Sequence, residues 1–319
     1  MAKLYPENAD QGVSAPRPTR RIDFIGRRNL FFLISLLIII PGIISMITQG
    51  FLLGIDFAGG TEFDLHFNRP PSVQQVQAVA VAENRQASVQ LAGNGTYIIR
   101  TLPLTPPQQQ EFRDRLTKNL GGINQAQVNE VGPTIAGELV QAALLAVLLA
   151  SLLILFYLAF RFRKVPGGWR SGFQFAGSAL LALLHDVFVL AGIFSILGRV
   201  FNSNLGQIDQ YFLTAVLTVV GFSVHDTIVV FDRIRENLNT TRQLSFEQVA
   251  NLSIIQTLTR SISTSFTVVL VLIALLLFGG ESIRGFVLAL LIGIISGTYS
   301  SIFNATPLLV VWRRLRPVR

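Results

Sequence analysis

Two aspartates stand inside runs that are otherwise apolar. Asp186 is the lone acid between Ser171 and Gly198, and Asp226 is the lone acid between Gln210 and Phe231. A charge at bilayer depth costs at least ~2.5–3.5 kcal/mol, so such residues carry a functional hypothesis by default. Two readings fit Asp186: a neutral carboxyl hydrogen-bonded inside a helix bundle, or a proton relay. Asp226 has a candidate partner. If its span ends near Arg233, it lies ~10 Å inside, and Arg260 lies ~6–7 Å inside the next span. An acid and a base at similar heights ease each other's burial. Desolvation raises a carboxyl pKa and a nearby guanidinium lowers it, so separating the two favours proton uptake by Asp226. The competing reading has Arg260 snorkelling to the headgroups and Asp226 as a static helix–helix hydrogen-bond donor. Asp232, Arg233, Arg235 and Glu236 sit at the edge of this span and read as local helix pairs and orientation charges.

These residues need membrane helices to hold them. The chain has 319 residues, 50% apolar and only 14% charged, against ~25% charged in soluble domains. Asn29 to Ile55, Leu139 to Phe160, Ser261 to Gly280 and Gly285 to Trp312 carry no charge. With the two aspartate-bearing runs they make six spans of the ~20 residues a bilayer needs. The first run is too long for a signal-peptide core and no A-x-A site follows, so it reads as an uncleaved anchor.

The net charge of +8 lies beside the apolar runs, which argues for membrane orientation rather than nucleic acid. Residues 1–28 hold six Lys or Arg, and four each fall in 161–170, in 232–260 and after Trp312. The 199–209 and 279–284 loops hold one each. The positive-inside rule then places both termini in the cytoplasm and the 50–137 segment outside. Cysteine is absent and only three histidines are present, so disulfides and thiolate metal sites are excluded. No nucleophile triad, nucleotide loop or cofactor site is visible, so no enzyme activity is expected.

The expected organisation is a cytoplasmic tail over 1–28, a first helix over 29–49, an outward domain over 50–137, a five-helix region over 138–312 and a cytoplasmic tail over 313–319. In the outward segment Phe63, Leu65 and Phe67 alternate as in a strand. Ser72 caps a helix from Val73 to Glu83. Ala87–Leu91 and Thr96–Leu102 flank Asn94-Gly95 as a hairpin. Pro106 and Pro107 open a second helix to about Leu120, and Ile123–Val131 closes with a strand. This β-α-β-β-α-β order predicts a ferredoxin-like α+β domain. In the last span, Gly293 and Gly297 form a G-x-x-x-G packing motif, while Asn304 and Pro307 mark a polar or kinked place facing the bundle interior.

Three sequence elements resemble the SecF branch of the SecD/SecF family, within the RND superfamily. The first is Gly54-Ile55-Asp56-Phe57-Ala58-Gly59-Gly60-Thr61, just after the first span. The second is His185-Asp186. The third is Asp226-Thr227-Ile228-Val229-Val230-Phe231-Asp232-Arg233-Ile234-Arg235-Glu236-Asn237. Arg260 and Phe278-Gly279-Gly280 also fit, so the resemblance covers residues 20 to 315. His225 departs from it, because relatives often carry Asn there, and adds a second titratable group beside Asp226.

The resemblance implies a Sec export subunit without cofactors in the bacterial inner (plasma) membrane, with a thylakoid membrane as the other location. It implies SecD as partner in a pseudo-symmetric twelve-span complex, associated with the SecYEG channel and SecA. It further implies that the proton-motive force helps pull unfolded polypeptide outward. On this scheme Asp226 and Arg260 lie on the proton path, with Asp186 and His225 as further candidates. The Gly54–Thr61 element is expected to form a tight exit from the first helix, with Asp56 bracing the turn. Half of an RND-type small-molecule or lipid transporter, and a passive translocon scaffold, remain the other readings.

Overall fold

The computed structural model describes residues 22–317, apart from 84–86, 92–94, 202, 242 and 281–282. Residues 1–21 of the expected cytoplasmic tail and Asn94 of the expected hairpin lie outside the described residues. Gly95, beside it, has φ +82°, the left-handed region in which glycine is favoured.

The chain begins with helix α1 (Arg28–Thr48), a short strand β1 (Leu52–Leu53) and a single helical turn, α2 (Ile55–Ala58). The small domain follows as β2 (Gly60–Phe67), α3 (Val73–Glu83), β3 (Ser88–Leu91), β4 (Tyr97–Thr101), α4 (Pro106–Leu120) and β5 (Ile123–Val131). Next come α5 (Pro133–Arg161), α6 (Gly168–Ser195), a second short strand β6 (Gln207–Ile208) and α7 (Gln210–Thr240). The chain ends with α8 (Phe246–Phe278), α9 (Arg284–Ser300) and α10 (Thr306–Leu315).

Among the described residues, six helical segments are long and apolar enough to cross a membrane, with α9 and α10 counted as one. A widened turn over Ser301–Ala305 joins those two. Pro307 lies just beyond it. Proline has no N–H to donate and its ring crowds the carbonyl four residues back, which a wider turn relieves. Asn304, within the turn, faces inward and donates to Ser35 Oγ of α1 at 2.9 Å.

The spans divide into two layers. The apolar stretches of α6, α7 and α9–α10 are 44%, 50% and 56% buried, against 17%, 11% and 17% for α1, α5 and α8. The inner three therefore form the core, and the outer three turn broad apolar faces outward. The inner helices approach closely where α9 has glycine. A Cβ at Gly293 would lie 2.2 Å from Val219 Cγ2, and one at Gly297 would lie 3.0 Å from Ser223 Cβ.

The small domain is a four-stranded antiparallel sheet in the order β3-β4-β2-β5. Phe63, Leu65 and Phe67 fall on one face, as their alternation predicts, and form a core with Val76, Ala80, Phe112 and Leu116 of the two helices. Ser72 Oγ accepts from Gln75 N at 3.3 Å, and Thr105 with Gln108 closes a capping box on α4. Sequence and register agree in β2 because its burial alternates from Thr61 to Phe67, with Phe63, Leu65 and Phe67 on the inner face.

Two stretches differ from the sequence reading. The 232–260 stretch, counted among the basic segments between spans, is helical over 232–240 and 246–260. Polar contacts hold this hairpin together: Asn237 Nδ2 donates to Ser253 Oγ at 2.9 Å and to Gln256 Oε1 at 2.8 Å. The end of the 1–28 tail is packed rather than free. Phe24 and Ile25 are buried in the bundle core, and Asn251 Oδ1 accepts from Phe24 N at 2.8 Å.

Candidate functional site in the helix core

Asp186 lies on α6 and is 1% exposed. Leaving a buried carboxylate without donors is costly, and three serine hydroxyls supply them. Ser223 Oγ of α7 donates at 2.7 Å and Ser300 Oγ of α9 at 2.6 Å, both to Oδ2. Ser296 Oγ of α9 donates to Oδ1 at 2.8 Å. Ser296 and Ser300 are four residues apart and so share one helix face. Gly293 and Gly297 bring that face in against α7. His185 Nδ1 lies 3.0 Å from Asp186 Oδ1. The result is a knot that ties α6, α7 and α9 together.

Asp226, on α7, is 3% exposed but far less well held. Among the described residues its one hydrogen-bond partner is Ser265 Oγ of α8, at 3.4 Å. Thr298 Oγ1 of α9 lies 2.6 Å from the same Ser265 oxygen. Ser265 and Thr298 line an open, mostly apolar groove of ≈ 350 Å³ between α8 and the last span, together with Ile262, Phe266, Tyr299 and Phe303. One hydroxyl therefore separates the buried carboxylate from an opening on the flank of the bundle.

The expected Asp226–Arg260 pair is not joined directly. No ion pair or hydrogen bond links the two side chains among the described residues, although Arg260 and His225 are within electrostatic reach of Asp226. Both Arg260 and His225 are exposed. The helix α8 begins at Phe246, so Arg260 lies about 21 Å along it.

The edge residues of α7 bridge to neighbouring helices. Asp232 Oδ2 accepts from Arg161 Nη2 of α5 at 2.8 Å, and Arg235 lies 3.4 Å from Asp232 Oδ1. Arg233 donates to Gln256 of α8 at 2.6 Å and to Glu236 at 2.6 Å.

At the other end of α7 the glycine-rich element forms the joint to the small domain. Gly59 has φ +74°, and a Cβ at Gly60 would lie 2.6 Å from Thr101 O. Gly54 N donates to Ile208 O at 2.8 Å, while β1 pairs in parallel with β6. Phe57 is half-buried in the α2 turn. Asp56 accepts from Gln210 N at 3.1 Å, so it braces the first turn of α7, where the positive end of the helix dipole favours a carboxylate. Asp209 caps the same helix, accepting from Phe212 N at 2.8 Å. Burial pushes the Asp209 carboxyl up from its ordinary value. Asp56 adds to this, while the Phe212 N–H and Arg100 act against it. Arg100 of β4 donates to Gln207 Oε1 at 2.8 Å and to Glu62 Oε2 at 2.6 Å, linking the sheet to the base of α7. The roles of Ser223, Ser265, Ser296, Arg100 and Asp209 were not read from the sequence. For the serines the one available signal was a hydroxyl at the right helical spacing.

Residues 112–315 match the family described as protein export membrane protein SecD/SecF, C-terminal, and residues 44–71 match the SecD/SecF GG motif. The chain is 47% identical to the protein translocase subunit SecF of Thermobaculum terrenum, over 91% of this chain and 94% of that one. It is 41% identical to the protein translocase subunit SecF of Anaerolinea thermophila, with the same shares covered. In three dimensions it is similar to SecDF, a translocon-associated membrane protein from Thermus thermophilus. That similarity has a TM-score of 0.77 and 33% identity, over 92% of this chain and 39% of that one. A second SecDF structure, in a super-membrane-facing form, gives a TM-score of 0.68 at 32% identity, over 94% of this chain and 40% of the other. The chain thus spans about two fifths of the solved SecDF chains. With a match over most of its length and curated relatives of nearly the same extent, the chain belongs to the SecD/SecF family of protein export membrane proteins.

Proposed function

We propose that this chain is a SecF-like subunit of the Sec export machinery. With SecD it uses the proton-motive force to help move polypeptide through the SecYEG channel after SecA. The observation that carries this reading is the setting of Asp226: buried, held by one long hydrogen bond, and one hydroxyl from an open groove. A carboxyl so placed exchanges protons at low cost in packing. Each change of charge alters its pull on Ser265 and on Arg260. Asp186, saturated with donors, serves as the fixed pivot against which α7 and α8 shift. Asp56 and Asp209 at the other end of α7 pass that shift to the small domain. We take the small domain, within 50–137, to be ferredoxin-like and to face outward, with both termini in the cytoplasm of a bacterial inner membrane. The distribution of Lys and Arg supports this orientation through the positive-inside rule.

Asp226→Asn and Arg260→Met test the reading in proteoliposomes containing SecD, SecYEG and SecA. Export driven by ATP alone should continue, and its stimulation by a proton gradient should be lost in both variants with normal assembly. Full stimulation in both would leave the subunit a passive scaffold.

A further inference from the structure

A second site lies away from Asp226, at the arginine-rich end of the bundle. A cavity of ≈ 430 Å³ opens between the start of α6 and the end of α10, lined by Arg170, Phe173, Gln174, Trp312, Arg316 and Pro317. Its walls are fixed. Gln174 is buried, and its Nε2 donates to Arg316 O at 2.9 Å. The Trp312 ring rests on Gly177, where a Cβ would come within 2.4 Å of it. Arg313 Nη2 donates to Pro166 O at 3.2 Å, tying α10 to the connection before α6.

Charge at this end is unevenly compensated. Glu247 pairs with Arg314 at 2.9 Å, Asp232 with Arg161 at 2.8 Å and Glu236 with Arg233 at 2.6 Å. Arg170 and Arg316 have no carboxylate partner among the described residues, and both are exposed. Two uncompensated guanidinium groups therefore flank a pocket with aromatic walls. Guanidinium matches phosphate through paired N–H donors. Phe173 and Trp312 call for an apolar part as well. The pocket also sits where the apolar run of α6 begins, at the level where tryptophan and basic residues meet headgroups.

We propose that this cavity binds the headgroup of an anionic phospholipid, with its phosphate between Arg170 and Arg316 and an acyl chain along Phe173. Basic pockets between membrane helices recognise anionic headgroups by this charge complementarity. The inference is independent of proton coupling.

The chain has only two tryptophans, so Trp169→Phe leaves Trp312 as the sole reporter inside the site. In that background the full chain is placed in phosphatidylcholine vesicles containing a small fraction of brominated phosphatidylglycerol or brominated phosphatidylcholine. Trp312 should be quenched preferentially by the anionic lipid. Removing the charges with Arg170→Gln and Arg316→Gln should reduce that preference roughly fivefold per arginine. Trp312 emission without brominated lipid should stay unchanged, and the Arg170→Lys, Arg316→Lys pair should keep most of the preference. Equal quenching by both lipids, or a preference that survives the glutamine pair, would overturn the proposal. Relief of quenching by millimolar inorganic phosphate would assign the site to free phosphate and overturn it as well.

Discussion

Asp186 and Asp226 are both buried acids on adjacent inner helices, and their neighbours give them opposite characters. Asp186 takes hydroxyl donors from two other helices. Losing one donor leaves a buried acceptor short, at about 1–3 kcal/mol. Ser300→Ala should therefore destabilise the detergent-solubilised protein by a free energy in that range, read as a lower thermal midpoint. A change within error would show that Asp186 does not depend on the serine. The two acids were legible in the sequence because a charge in an apolar run stands out. What separates them was not, because serine is common in membrane helices and its meaning depends on the face it occupies. The Asp226–Arg260 pairing was half legible. Spacing put both residues in neighbouring helices, but only the rotation of α8 shows that Arg260 points outward.

At the scale of elements, the joint between α1 and β2 depends on backbone shape. Gly60 is pressed against Thr101 O and the Ile55 side chain. Overpacking of this kind costs about 1–3 kcal/mol, so Gly60→Val should destabilise the joint by at least that and reduce export below that of Gly95→Ala. Gly95 has positive φ, as Gly59 does, but nothing within 4 Å of a built Cβ. Equal export by the two variants would remove the joint from the mechanism. Strand alternation and helix caps made the elements of the small domain readable. The hairpin of α7 and α8 was less so, because the hydrogen bonds of Asn237 with Ser253 and Gln256 leave no hydrophobic signal, although Ile234, Val249 and Ile254 are buried beside them. Nor was the bracing of α7 by Asp56, which joins residues 154 apart in sequence.

For the molecule as a whole, the question is how the small domain and the bundle are held together. Arg100 links the sheet to Gln207 at the base of α7. Arg100→Ala should broaden the distance distribution between spin labels placed on α4 and on the outer end of α5, with the mean fold retained. An unchanged distribution would show that backbone connections alone set the domain's angle. The chain has no cysteine, so two introduced cysteines would be the only labelling sites. The way the domain is attached has one more consequence. Gly60 and Val131 are paired neighbours at its two ends, and a Cβ on Gly59 would lie 3.4 Å from Pro133 Cα. Entry and exit are thus a single narrow stalk, while β1 and β6 close the bundle beneath it. An architecture with such a stalk behaves as a chassis with an exchangeable cassette. Loop insertions in the small domain away from this stalk and from Arg100 would leave the helix bundle's own geometry unchanged.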